Sequence, residues 1–330
     1  MAKFLVTGGA GFIGSHLVDA LIHDGHQVRV LDNLSTGTRA NLAPRAEFIL
    51  GDTTDYEVFR DAVTGVDGVF HMAAIASVEK GFEDWPGTHT INVTSFINVL
   101  DLSRRIASKP FPIVYASSAA VYGEDGRQSL SEDAPKRPVS AYGADKLGCE
   151  NHAYVGANAY GIPSVGLRLF NVYGPRQYAH SPYSGVISIF CDQIKSGKEI
   201  CIHGDGKQTR DFIYVSDAVR LLVAAMQSEP SGASIYNACT GVATSIRDLA
   251  NEISQAIDIP LKVTHAPARR GDVKHSVGDS TRARDRFQWQ AEVSLAEGLR
   301  QMMGIATRPA KVVPDLGEEA SLRRGWRRLF

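Results

Sequence analysis

The sequence predicts an α/β fold, a doubly wound parallel sheet followed by a smaller α/β C-terminal lobe. Short apolar runs alternate with helical-period segments through the first half of the chain. Most of those runs are unbroken, as in strands buried on both faces of a parallel sheet. A glycine-rich turn joins the first run to the first helical segment, as at the start of a βαβ unit.

Residues 4–6, 28–31, 48–50, 69–70, 113–115 and 165–169 read as strands. Residues 12–22, 56–63, 88–107 and 142–160 read as the helices between them, completing repeated βαβ units. Beyond residue 170 the segments shorten, glycine and proline become more frequent, and helix follows helix. Residues 186–195, 217–227 and 245–256 read as helices there, with short strands such as 234–237 and 261–264. The expected division is a mainly sheet-forming domain at 1–170, a mainly substrate-binding lobe at 171–305 and a tail at 306–330.

Bulk properties exclude several function classes. At 330 residues, 44% hydrophobic and 22% charged, the chain is long enough for a substantial core. A formal net charge of -1 supplies no global basic field for nucleic acid. Cys149, Cys191, Cys201 and Cys239 lie far apart without CxxC spacing, which argues against zinc and against a disulfide scaffold. No HExxH pairing occurs among the histidines, and no metal is expected. The N-terminal apolar stretch is too short for a signal peptide, and no run approaches the length of a membrane span. The expected location is the cytoplasm.

Thr7-Gly8-Gly9-Ala10-Gly11-Phe12-Ile13-Gly14 lies between the first strand and the first helix. Gly8, Gly11 and Gly14 permit a tight turn, close approach to a pyrophosphate and close helix–strand packing. The helix start at Phe12 and Ile13 offers unpaired N–H groups and a partial positive charge to phosphates. Together these features predict a Rossmann-type dinucleotide site. Asp32 ends the second strand, 18 residues after Gly14, where a carboxylate accepts the adenosine ribose hydroxyls. An acid there repels a 2′-phosphate and no arginine follows it immediately, which favours NAD over NADP. Asp32 would also suit a turn or a helix cap. Asp52, after the third strand, is placed to meet the adenine edge, although a lone turn aspartate means little.

Tyr142 and Lys146 are four residues apart at the start of a predicted helix, so they share one face. An ammonium beside a phenol favours the phenolate, a base suited to taking a hydroxyl proton. Ser118 ends the fifth strand, at the edge where such sheets bind ligands, and its hydroxyl can reach a substrate oxygen or a phenol. Serines at a strand end also serve as local backbone partners.

The ordered set TGGAGFIG (7–14), Asp32, HMAA (71–74), SSAAVYG (117–123), YGADK (142–146) and NVYGPRQ (171–177) resembles the extended short-chain dehydrogenase/reductase superfamily. It is most similar to the nucleotide-sugar 4-epimerases. GDGKQTRDF (204–212), YVSD (214–217) and RRGDV (269–273) agree, and the similarity runs from Lys3 to Met303. The resemblance implies a catalytic triad of Ser118, Tyr142 and Lys146. It implies cofactor contacts from Asn33, Ser35, Thr36, Gly37, Thr53, Ala73, Ala74, Tyr142 and Lys146 besides those named above, the lysine through the nicotinamide ribose. It also implies substrate contacts from Ser77, Asn171, Arg210, Arg269, Asp272 and Ser276. Paired arginines suit a diphosphate, which they meet with forked donors. Arg210 would equally suit an ion pair with Asp205 or Asp211. The family places proline after its substrate arginine, whereas Arg270 stands there in this sequence; Arg269 is taken as the family arginine.

Dehydratases of this superfamily carry acidic residues after the serine/threonine pair, and its decarboxylases carry a nearby glutamate. Ala119 and Ala120 occupy those positions, and methyl groups transfer no protons. The resemblance therefore implies NAD-dependent 4-epimerisation of a UDP-sugar. Alternatives are a UDP-glucuronate or ADP-heptose epimerase and a non-catalytic NAD-sensing scaffold. Tyr183-Ser184-Gly185-Val186-Ile187 and the His275-Ser276 pair resemble the UDP-N-acetylglucosamine branch, where a small residue at the Ser276 position admits N-acetylated sugars. A homodimer through 88–107 and 142–160 is implied by resemblance alone. In the tail, Leu322, Trp326, Leu329 and Phe330 oppose Arg323, Arg324, Arg327 and Arg328 on a possible helix. Such a segment can pack on its own domain, stay unstructured, or meet a partner or a membrane surface; membrane contact is the less favoured of these.

Overall fold

The computed structural model describes residues 1–106, 108–178, 185–268 and 273–305. The tail, Arg269, Asp272, Tyr183 and Ser184 lie outside the described residues. The first half-unit comprises β1 (Lys3–Thr7), α1 (Phe12–His23), β2 (Gln27–Asp32), β3 (Glu47–Leu50), α2 (Tyr56–Val63) and β4 (Gly68–His71). Next come α3 (Val78–Glu83), α4 (Trp85–His89), α5 (Ser95–Ile106), β5 (Ile113–Ser118), α6 (Ala141–Tyr160) and β6 (Ser164–Leu169). The second half runs through β7 (Asn171–Tyr173), α7 (Val186–Lys195), β8 (Ile200–His203), β9 (Thr209–Arg210), β10 (Phe212–Tyr214), α8 (Val215–Gln227) and β11 (Ala233–Ala238). It closes with β12 (Thr244–Ser245), α9 (Ile246–Ile257), β13 (Val263–Ala266), β14 (His275–Ser276), α10 (Thr281–Phe287) and α11 (Leu295–Met302).

Seven strands form the main sheet in the order β11-β6-β5-β4-β1-β2-β3. Every neighbouring pair is parallel. The chain builds outward from β1 to β3, then crosses back to β4 and builds the other way. Its direction reverses between β1 and β4, which opens a crevice at their carboxyl ends.

The apolar runs are unbroken because both faces of the sheet are covered. In β1, Phe4 and Val6 join one buried cluster with Leu17, Val18 and Leu21 of α1 and Leu222 of α8. Leu5, between them, joins the opposite cluster with Phe59 of α2, Phe96 of α5 and Ala153 of α6. Each fully buried large apolar side chain contributes on the order of 1.5–3 kcal/mol. β3 is the exception among the unbroken runs, because it is the sheet edge and Leu50 is 66% exposed.

Two expectations change. The single helix expected over 88–107 is divided into α4, a wide π-type turn at Thr90–Thr94, and α5. Asn92 is buried in that turn, where its Oδ1 accepts the Ile75 N–H at 2.8 Å and its Nδ2 donates to the Ile75 carbonyl at 3.2 Å. A helical-period pattern does not register such a bulge, since the flanking turns keep their apolar face. The expected boundary at residue 170 is also crossed in space: β11 pairs with β6 as the outer strand of the sheet, and α8 packs on α1. The rest of the second half carries three small sheets, β10-β7, β12-β9-β14 and β13-β8. No helix among the described residues is long and apolar enough to cross a membrane.

Candidate active site

The glycine turn sits at the switch-point crevice. Gly8 has φ +66°, and a Cβ there would lie 2.8 Å from the Ala73 nitrogen. A Cβ on Gly14 would collide with the Gly8 carbonyl oxygen. Packing therefore requires both glycines. Gly11 caps α1 without a side-chain hydrogen bond, and the first turn holds no acidic residue. The opening amides at Phe12 and Ile13 thus meet the crevice with no competing anion. This cradle, narrowed until no Cβ fits, matches the pyrophosphate of a dinucleotide.

The segment after β2 clamps the cradle from outside. The Ala10 N–H donates to Asp32 Oδ2 at 2.9 Å. The Ala10 carbonyl accepts from Thr38 N at 3.1 Å and Asn41 Nδ2 at 2.9 Å. Asp32 Oδ1 accepts from Leu34 N at 2.8 Å, so this buried carboxylate fills the turn role. Asn33 donates to Asp52 Oδ2 at 2.8 Å and accepts from Ser35 N at 3.0 Å. Ser35 and Thr36 lead to Gly37, which abuts the Ala10 carbonyl. Burial pushes the Asp52 carboxyl up, but hydrogen bonds from Thr54 and Asn33 outweigh it and hold it below its ordinary value. Thr53 is buried beside it, its carbonyl accepting from Asn98. Thr7 Oγ1 accepts from Met72 N and Ala73 N, each at 3.2 Å, and so fixes the start of the Ala73–Ala74 segment against the turn. Asn41 belongs to no motif in the sequence, because it acts on backbone brought close only by folding.

Ser118 ends β5, and the 3₁₀ turn Ala119–Val121 follows it. Its Oγ accepts from Ala120 N at 3.1 Å, leaving the hydroxyl proton to donate elsewhere. α6 opens at Ala141, with Ser140 Oγ accepting from Gly143 N at 3.1 Å. A Cβ at Gly143 would lie 2.5 Å from the Ala120 carbonyl oxygen, so the helix start seats directly on the turn after Ser118. That close approach brings Tyr142 to the end of β5. Lys146 is 3% exposed, and its Nζ lies 5.9 Å from the Tyr142 ring centroid. Asp145 pairs with His89 Nδ1 at 2.9 Å and accepts from Asn92 Nδ2 at 3.4 Å, tying α6 to the π-type turn. His71 is a neutral core residue: burial, then the Lys146 charge, holds its imidazole down at about 3.

In the second half of the chain, β14 pairs with β9 so that Ser276 lies opposite Arg210. Asn171 follows β6, and both its N–H, at 3.0 Å, and its Nδ2, at 3.1 Å, donate to the Asp211 carbonyl. The fold thus brings Asn171, Arg210 and Ser276 together from distant parts of the chain. Ser77 is buried as the cap of α3, where its Oγ accepts from Lys80 N at 3.0 Å. Among the described residues, no cluster of three or more His, Cys, Asp or Glu could hold a metal.

The chain is similar to known proteins in sequence and fold. The chain is 38% identical over 309 residues to UDP-glucose 4-epimerase of Mycolicibacterium smegmatis, covering 90% of this chain and 96% of that one. The solved UDP-glucose 4-epimerase of Thermotoga maritima, with UDP-glucose, superimposes with a TM-score of 0.87 at 35% identity, covering 92% and 97% of the two chains. A UDP-N-acetylglucosamine 4-epimerase from Methanobrevibacter ruminantium, in complex with UDP-N-acetylmuramic acid, gives a TM-score of 0.87 at 33% identity and the same coverage. Residues 4–239 match the NAD dependent epimerase/dehydratase family, and with these relatives in agreement the chain belongs to that family of NAD-dependent enzymes.

Proposed function

We propose that the chain is a cytoplasmic UDP-sugar 4-epimerase acting on UDP-N-acetylglucosamine and UDP-N-acetylgalactosamine, and also on UDP-glucose and UDP-galactose. The observation that carries this reading is the seating of Tyr142 and Lys146 on the turn after Ser118, where the next two side chains, Ala119 and Ala120, are methyl groups. NAD, held by the Gly8–Gly14 turn and Asp32, would supply the hydride acceptor and donor for oxidation and reduction at the sugar C4. Tyr142 takes the C4 hydroxyl proton and later returns it, and the Lys146 ammonium stabilises the phenolate. Ser118 donates its hydroxyl hydrogen to the C4 oxygen. With Ala119 and Ala120 where acidic residues would stand, water elimination lacks the proton donor those positions would supply. Asn171, Arg210, Arg269 and Asp272 hold the nucleotide while the keto sugar turns. In this reading residues 1–170 mainly hold the cofactor and residues 171–305 mainly hold the nucleotide sugar.

The test is to incubate purified protein with a panel of nucleotide sugars and read product stereochemistry. Formation of the C4 epimer from a UDP-hexose or UDP-N-acetylhexosamine supports the proposal. Turnover confined to UDP-glucuronate or ADP-heptose, or no turnover at all, rejects it.

Ser276 supports the N-acetyl preference, because its small side chain leaves room for an acetamide. Ser276→Tyr is expected to lower kcat/KM for UDP-N-acetylglucosamine several-fold or more, since overpacking costs about 1–3 kcal/mol. UDP-glucose should be affected much less. The ratio of the two kcat/KM values in both proteins decides it; an unchanged ratio removes Ser276 from the pocket.

The proposal includes a homodimer through the 88–107 and 142–160 helices. α5 and α6 pack side by side and leave Ile97, Tyr154 and Val155 exposed, apolar surface that a second copy would cover. Sedimentation velocity should give a dimer that Val155→Arg converts to monomer. A wild-type monomer at micromolar concentration would reject this interface.

A further inference from the structure

Asp211 stands at a junction of four segments. It is fully buried, at 0% exposure, and follows β9 directly. Its side chain accepts four hydrogen bonds. Oδ1 takes the Thr240 N–H at 2.8 Å and the Thr240 hydroxyl at 2.7 Å. Oδ2 takes the Gly241 N–H at 2.8 Å and the Gly278 N–H at 3.4 Å. Its own N–H donates to the Ser276 carbonyl at 2.9 Å, and its carbonyl receives both Asn171 donors. One residue therefore joins the segment after β6, strand β9, the loop after β11, and β14 with the glycine that follows it.

Each joined segment borders the proposed nucleotide-sugar side. Arg210 precedes Asp211, Asn171 hangs on its carbonyl, and Ser276 on its N–H. The cofactor cradle lies elsewhere, on β1, β2 and β4. A carboxylate is an acceptor on both oxygens, so it alone among side chains of this size can take four donors without presenting one of its own. Burial pushes the Asp211 carboxyl up while the bonds from Thr240, Gly241 and Gly278 pull it down, and the net position is above its ordinary value. Holding such a group inside the fold is costly, and the organised segments are the return.

We infer that Asp211 is a positioning residue for the nucleotide clamp: without touching substrate, it sets where Asn171, Arg210 and Ser276 stand and so sets affinity for the nucleotide moiety. The inference rests on the UDP-sugar reading above. Asp211→Asn keeps the shape but turns an NH₂ toward N–H donors. The NAD-loaded variant is expected to bind UDP about tenfold more weakly by calorimetry, the weight of one or two lost charge-assisted hydrogen bonds. KM for the UDP-sugar should rise in parallel, with kcat at saturation within about threefold of wild type and NAD content unchanged. A general loss of structure would instead lower Tm, NAD content and kcat together, and that result overturns the inference. Should Asp211→Asn fail to fold, Thr240→Val removes a single hydroxyl donor and keeps the backbone N–H. It is expected to weaken UDP binding about two- to threefold, and wild-type affinity there overturns the proposal. Calorimetry separates this inference from the activity. Wild-type protein that binds UDP but epimerises no UDP-sugar rejects the epimerase reading alone. Wild-type protein that does not bind UDP rejects both.

Discussion

Replacing Tyr142 by Phe is expected to lower turnover at least roughly a hundredfold while leaving NAD bound, the usual weight of a positioned acid–base group. The substitution removes one oxygen and keeps the ring. The ring's position is set by features the variant retains: the Ser140 cap, the Gly143 seat on the Ala120 carbonyl and the ring's place over the Lys146 side chain. Fold and cofactor retention should therefore persist, which makes the variant a clean probe of proton transfer. Turnover of the preferred UDP-sugar and NAD content of the purified protein are the two measurements. Near-wild-type turnover removes Tyr142 from the chemistry. Loss of NAD together with turnover would show that the phenol serves the cofactor site instead.

Asp32→Ala is expected to weaken NAD retention by about tenfold or more. The reason is double. The ribose hydroxyls lose their acceptor. The buried Ala10 N–H and the part-buried Leu34 N–H, now bonded at 2.9 and 2.8 Å, also lose theirs, at about 1–3 kcal/mol for the buried group. Asp32→Asn separates the two effects. It keeps one oxygen as an acceptor for the loop but removes the charge that repels a 2′-phosphate. The Asn variant should retain more NAD than the Ala variant and gain affinity for NADP. NAD content unchanged in the Ala variant would leave Asp32 as a turn residue alone. NADP affinity unchanged in both would remove its role in cofactor choice.

Much of the fold was legible before folding. The unbroken apolar runs of β1, β4 and β5 marked a sheet covered on both faces, and the structure buries alternate residues of β1 in opposite clusters. The glycines at 8 and 14 were readable because the constraint acts within a single turn: positive φ at Gly8 and contact of Gly14 with Gly8 itself. Tyr142 and Lys146 were readable as a pair because four residues is one helical turn. The break at Thr90–Thr94 was not readable. It accompanies the Asn92 bond to Ile75, across a loop and two helices, while the apolar face continues on both sides. Nor was the place of β11, whose six residues look like any short strand until β6 offers an edge.

Sequence alone therefore determined what depends on neighbours along the chain: the period of each element, the glycine cradle, the Tyr-x-x-x-Lys face, and the two methyl side chains after Ser118. Tertiary structure alone decided what depends on neighbours across it. Gly143 has to meet the Ala120 carbonyl before Tyr142 stands at the end of β5. Asn41 has to reach Ala10 before the cofactor turn is clamped. Asn171, Arg210 and Ser276 become one group only when β9 pairs with β14 and Asp211 closes the junction. The physical reason is range. Helical and turn geometry act over a few residues and leave a local pattern, whereas strand pairing and buried hydrogen bonds join segments whose spacing in the chain carries no signal.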